Sequence, residues 1–170
     1  MCISKEPMVA VIMGSDSDYP TLTGCIKILN EFGVQFEVMV CSAHRTPDKA
    51  SEFARNAEEK GFGVIIAAAG KAAHLPGVLA AYTVLPVIGI PIKSSTMDGL
   101  DSLLSIVQMP SGVPVATVAI DGAENAALLA IQILSTGCQE LRNKMREYKS
   151  KLAEKVEEKN RVLQEKLMKL

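Results

Sequence analysis

Met8-Val9-Ala10-Val11-Ile12-Met13-Gly14-Ser15-Asp16-Ser17-Asp18 is the stretch that decides the fold. Met8–Met13 is an unbroken apolar run of strand length, and it stops at Gly14. A strand with no polar alternation is buried on both faces, as the strands of a parallel sheet are. The chain then becomes amphipathic. Pro20–Phe32 places Leu22, Cys25, Ile26 and Leu29 on one helical face, and Gly33 ends that helix in the position glycine favours.

The same unit recurs outward from this stretch. Phe36–Cys41 reads as a second strand. Thr46-Pro47-Asp48 opens a helix with proline in its first turn, and the helix runs to about Lys60, ahead of Gly61. Val64–Ala69, Val87–Ile90 and Val115–Ile120 read as the third to fifth strands. Helices over Ala72–Tyr82, Leu100–Val107 and Glu124–Leu134 separate and follow them. Such alternation predicts an α/β fold, a flavodoxin-like three-layer sandwich. Its five-stranded parallel sheet has the order 2-1-3-4-5, with helices on both faces and right-handed crossovers.

Composition agrees. The 170 residues suit one domain and a modest extension, and 48% of them are hydrophobic, enough for a two-sided core. Aromatic residues make up only 4% and tryptophan is absent, so that core is built from Val, Ile, Leu and Ala. The α/β domain is expected over residues 1–136 and a C-terminal helical extension over 137–170. From Gln139 to Leu170 there is no glycine or proline. Leu141, Met145, Tyr148, Leu152, Val156, Leu163, Leu167 and Leu170 form an apolar stripe at helical spacing. The stripe packs either on its own domain or on a neighbouring subunit.

A formal net charge of -1 gives no reason to expect nucleic acid or a membrane surface as partner. Cys2, Cys25, Cys41 and Cys138 are far apart, form no CxxC pair and complete no zinc pattern, so no metal is expected and they read as reduced structural thiols of a cytoplasmic protein. The opening MCISKEPM lacks the apolar core of a secretion signal, and runs such as Val64–Ala69 are too short to cross a bilayer.

In an open parallel sheet, ligands bind at the carboxyl ends of the strands where strand order reverses. Three unusual segments fall there. Gly14–Asp18 follows strand one, Ser42-Ala43-His44-Arg45-Thr46 follows strand two, and Gly70-Lys71-Ala72-Ala73-His74-Leu75-Pro76-Gly77 follows strand three. With strand one between the other two, all three converge on one crevice. In the first loop, Ser15 and Ser17 offer hydroxyls and the next helix offers free N–H groups to an anion. Asp16 and Asp18 cannot both face a phosphate. One suits sugar hydroxyls and the other a helix cap, although the whole segment also reads as a plain turn and N-cap. It matches neither GxxxxGK[ST] nor GxGxxG. Arg45 supplies a permanent cation, for a phosphate or for a surface salt bridge. His44 and His74 are the only histidines, and both lie in strand-end loops. His44 suits acid–base work. His74, among small residues, reads as part of a loop that approaches a ligand with its backbone. No carboxylate pair or nucleophile–base pair is visible from spacing, so the chemistry expected is proton movement.

Gly14–Asp18, Ser42–Asp48 (SAHRTPD), Ala72–Gly77 (AAHLPG), Asp101–Pro110 (DSLLSIVQMP) and Asn125–Ala130 (NAALLA) together resemble the PurE family, over roughly residues 8–135. That family comprises the carboxyaminoimidazole ribonucleotide mutases and aminoimidazole ribonucleotide carboxylases of purine biosynthesis. The resemblance implies a ribonucleotide substrate and carbon dioxide, no cofactor, and a homo-octamer to which the C-terminal helices contribute. It implies His44 as general acid–base. Ser15 and Arg45 would face the phosphate and Asp18 the ribose, with Ser17, Ser42, Gly70, Ala72, His74 and Leu75 completing the site. The motifs favour the class I mutases. Lys71 stands where class I members commonly carry glycine and where class II direct carboxylases carry a basic residue, so direct carboxylation by carbon dioxide is the alternative.

Overall fold

The computed structural model describes residues 7–169. Its sheet contains Met8–Met13 (β1), Phe36–Val40 (β2), Phe62–Gly70 (β3), Val87–Ile92 (β4) and Ala116–Thr117 (β5). All four pairings are parallel and the order is β2-β1-β3-β4-β5, as expected. The helices are Tyr19–Phe32 (α1), Pro47–Asn56 (α2), Leu75–Ala80 (α3), Leu100–Val107 (α4), Ala123–Ser135 (α5) and Gln139–Leu167 (α6).

The apolar run of β1 serves two cores. Successive side chains of a strand point to opposite faces. Val9, Val11 and Met13 therefore pack with α1 and α5, through Leu22, Leu29, Ala127 and Ile131. Ala10 and Ile12 pack with α2, α3 and α4, through Ala50, Phe53, Leu79 and Ile106. Two-sided burial removes any reason for polar alternation, which is why this strand is legible as a continuous run.

Several boundaries differ from the sequence reading. The core face of α1 uses Ile28 and Phe32 beside Leu22, Cys25 and Leu29, and Ile26 is only partly buried. Helix α2 stops at Asn56, and turns carry the chain from there to Gly61. Strand β3 is longer than expected at both ends, and β4 extends to Ile92. Strand β5 shrinks to two residues. The carbonyls of Gly89 and Pro91 accept from Val118 and Asp121, so both residues face β5. Proline has no N–H to give, and the ladder ends where Pro91 would have to donate. At Gly89 the reason for glycine is space. A Cβ there would overlap Ile106 Cγ2 and lie 3.1 Å from Val115 Cγ1, so its absence lets α4 and the approach to β5 close onto β4.

Helix α6 begins as part of the body and ends outside it. Leu141 and Met145 are buried, and the Tyr148 ring meets Phe32 with centroids 5.6 Å apart. Lys144 Nζ donates to the Phe32 carbonyl at 3.1 Å, placing a cation at the C-terminus of α1. Arg142 donates in the same way to the carbonyls of Ser135 and Thr136 at the end of α5. Farther on, Leu152, Val156, Leu163 and Leu167 are exposed. The first turns thus pack on their own domain, while the rest of the stripe stays exposed among the described residues. Leu170 and Cys2 lie outside the described residues. Cys25, Cys41 and Cys138 are buried, and burial pushes the Cys25 thiol up to about 12. Among the described residues no helix is long and apolar enough to cross a membrane.

Candidate active site

The loop after β1 is a tight turn organised by Ser15. Its Oγ accepts from the Ser17 N–H at 3.3 Å and from Ser17 Oγ at 2.8 Å, leading into a 3-10 turn over Asp16–Asp18. Neither aspartate caps α1, contrary to expectation. Asp18 occupies the N-cap position, but its backbone is already helical and its side chain makes no capping bond. A capping residue needs extended geometry and a free N–H two or three residues on, and Pro20 removes one of those donors. Asp16 is exposed and accepts from Ser15 Oγ at 3.3 Å.

Asp18 is instead buried, at 9% exposure, and burial lifts its carboxyl above the ordinary carboxylate value against the pull of hydrogen bonds from Ser15 and Ser17. A raised folded-state value means that the folded protein holds the proton to higher pH than the unfolded chain. Stability therefore falls as pH rises through that window. Asp18→Asn removes the ionisation, so the apo variant is expected to melt above the parent at pH 7 and to lose that advantage toward pH 4. Thermal melts across that range check this, and a gap that ignores pH would count against it.

The loop after β2 is closed by Thr46. Its Oγ1 accepts from the Ser42 N–H at 3.0 Å and donates to the Ser42 carbonyl at 2.9 Å. Arg45 donates from Nε to Ser42 Oγ at 3.4 Å and from Nη2 to the Gly14 carbonyl at 3.0 Å. The guanidinium thus bridges the first two loops. It makes no ion pair among the described residues, which sets aside the salt-bridge reading.

The loop after β3 turns at Lys71, whose φ is +56°. The N–H groups of Ala73 and His74 donate to the carbonyls of Lys71 and Ala72, both at 2.8 Å. These tight bonds delay the helix, so α3 starts at Leu75 and not at Ala72. A Cβ on Gly77 would lie 2.8 Å from Met109 Sδ, so the helix rests closely on the segment after α4.

Across the crevice His44 Nε2 lies 2.9 Å from His74 Nδ1, with the rings edge to face and centroids 5.0 Å apart. One ring nitrogen must donate and the other accept, so the two tautomers are linked. The His74 ring is thus engaged with His44, a contact that the reading of its loop as a backbone surface did not include. The contact spans 30 positions and exists only because β1 sets the second and third loops side by side.

The three loops surround a cavity of about 490 Å³. Ser15, Ser17, Asp18, Ser42, His44, Arg45, Gly70, Ala72, His74 and Leu75 all line it, and Asp16 does not. Gly14, Ala43, Ala69 and Lys71 line it as well. Ala69 carries no chemical signature, and Ala43 is marked only by its place between Ser42 and His44. Lys71 carries a signal, a cation in a run of small residues, but not one that says which way it serves. Among the described residues no three His, Cys, Asp or Glu side chains gather as metal ligands would.

A cavity of this size at a strand-order reversal, with a cation and hydroxyls on one loop pair and two imidazoles in contact, defines an α/β protein with a small-molecule site at the carboxyl ends of its strands. More particularly, the AIR carboxylase family model matches residues 8–155, and the chain belongs to that family. It is 60% identical over 162 residues to the N5-carboxyaminoimidazole ribonucleotide mutase of Pyrococcus horikoshii, covering 95% of this chain and 92% of that protein. It is 56% identical over 159 residues to the mutase of the same name from Thermotoga maritima, covering 94% and 93%. Among solved structures, Treponema denticola PurE superposes with a TM-score of 0.80 at 28% identity, covering 89% of this chain and 95% of that one.

Proposed function

We propose that this chain is a mutase of purine biosynthesis, converting 5-(carboxyamino)imidazole ribonucleotide into 4-carboxy-5-aminoimidazole ribonucleotide. The observation that carries the reading is the His44–His74 contact on a cavity that also holds the Arg45 guanidinium, which has no ion pair among the described residues. The names of the full-length relatives support the mutase over direct carboxylation.

The reaction is an isomerisation, and its parts balance within the substrate. The bond between the exocyclic nitrogen and the carboxyl carbon breaks, that nitrogen gains a proton, and carbon dioxide is released inside the cavity. Ring carbon C4 then attacks the carbon dioxide, a carbon–carbon bond forms, and C4 loses a proton. His44 supplies the first proton and takes the second. His74, hydrogen-bonded to it, orients the imidazole and helps set which nitrogen carries the proton. The aminoimidazole ring supplies the electrons, so the step needs no cofactor. Arg45, Ser15 and Ser17 hold the phosphate, Asp18 accepts from the ribose hydroxyls, and Ser42 fixes Arg45. Gly70, Ala72 and Leu75 wall the gas in, because an escaped carbon dioxide ends the turnover.

The enzyme works in the cytoplasm as a homo-octamer in which the exposed stripe of α6 is covered by neighbouring subunits. Incubating the purified protein with the N-carboxylated nucleotide tests the activity. Conversion is expected without ATP, metal or added bicarbonate. No conversion by folded protein would sink the reading, and turnover that requires dissolved carbon dioxide and uncarboxylated nucleotide would favour the carboxylase. Mass in solution, read on the same sample, checks the octamer.

A further inference from the structure

Lys71 lines the cavity, yet the roles assigned above leave it without a task. Its backbone sits at φ +56°, a region that penalises any residue with a Cβ and is routine only for glycine. The loop holds it there through the 2.8 Å bond from the Ala73 N–H to its carbonyl. The residue is exposed and makes no ion pair among the described residues. A lysine in an unfavourable conformation on a cavity wall, with no partner of its own, has its charge available to a ligand.

The cavity carries its two permanent cations on different loops. Arg45 is tied to the first loop through Gly14, beside the Ser15 and Ser17 hydroxyls. Lys71 stands three residues before His74, on the loop that supplies the second imidazole. The substrate and the product each carry two anionic groups, a phosphate and a carboxylate. His44 cannot hold the carboxylate through the whole cycle, because it alternates between charged and neutral forms. A lysine ammonium is a point charge that does not alternate.

We infer that Lys71 binds the migrating carboxylate of substrate and product, as a second anion site separate from the one for phosphate. The inference rests on the mutase reading. Carbon dioxide in transit is neutral, so the ammonium grips the two end states and not the intermediate. Its contribution is therefore to affinity and not to rate.

The test uses the full chain and its Lys71→Met and Lys71→Gly variants. Glycine suits the left-handed backbone, so it removes the charge without strain and stands in if the methionine variant folds poorly. Calorimetric titration is done with 4-carboxy-5-aminoimidazole ribonucleotide and with 5-aminoimidazole ribonucleotide, which lacks the carboxylate. Both variants are expected to bind the carboxylated nucleotide about tenfold more weakly and the other within about twofold of the parent. KM should rise with the first of these and kcat should hold or rise, because a grip lost on the way to carbon dioxide stabilises only the bound end states, and Lys71→Arg should restore much of the preference. Equal weakening toward both nucleotides, or no change toward either, overturns the inference. If the parent itself neither binds nor interconverts these nucleotides, the mutase reading fails and takes this inference with it. If the parent does both while the variants keep its preference, only the role of Lys71 is wrong.

Discussion

His44→Asn is expected to lower kcat by ~10²–10⁴ while leaving nucleotide binding nearly intact. In the proposed mechanism the His44 imidazole gives a proton to the leaving nitrogen and takes one from ring carbon C4. Asparagine stays polar but cannot exchange a proton near neutral pH, and its amide is too short to replace Nε2, which lies 2.9 Å from His74 Nδ1. The proposal gives the phosphate and ribose contacts to other residues, Arg45, Ser15, Ser17 and Asp18, so affinity for the nucleotide should survive. Steady-state rates beside a direct binding measurement separate the two effects. A variant that turns over within tenfold of the parent would remove His44 from the acid–base role. One that loses binding and rate together would make it a structural residue of the crevice.

Arg45→Met is expected to weaken nucleotide binding by about tenfold to a hundredfold, the usual effect of losing a charged hydrogen bond to a dianion. Two things disappear at once. The phosphate loses its cation, and the first two loops lose the bridge from Nη2 to the Gly14 carbonyl and from Nε to Ser42 Oγ. Comparing a nucleotide with its dephosphorylated nucleoside tells these apart. If Arg45 holds phosphate, the parent prefers the nucleotide strongly and the variant hardly at all. Equal losses toward both ligands would mean that Arg45 serves only to brace the loops. Lysine is not expected to rescue, since one ammonium cannot span both acceptors and keep a planar face for the anion.

How much of this was legible beforehand depended on the residue. The MVAVIM run was readable as a two-sided strand because burial on both faces leaves a local signature. So was the helix over Leu100–Val107, whose boundaries the structure reproduces. The fifth strand was misread because its length is set by Pro91, a residue of the neighbouring strand. The start of α3 was misread because the turn at Lys71 is held by bonds that propensity does not register. At the site, titratable and hydroxyl-bearing residues announced themselves by type. Ala43 and Ala69 did not, having nothing but smallness to offer.

The sequence by itself determined the alternation of strands and helices, the strand ends on which ligand loops must lie, and the identity of the groups available there. Each of these is written in spacing along the chain or in side-chain chemistry. The tertiary structure alone decided that His44 and His74 touch, that Arg45 ties the first loop to the second, that Asp18 is buried and does not cap a helix, and that the stripe of α6 runs beyond the body it starts on. Those facts depend on which strands become neighbours and on what remains uncovered afterwards. Both are set by packing between residues far apart in the chain, where no local pattern carries the information.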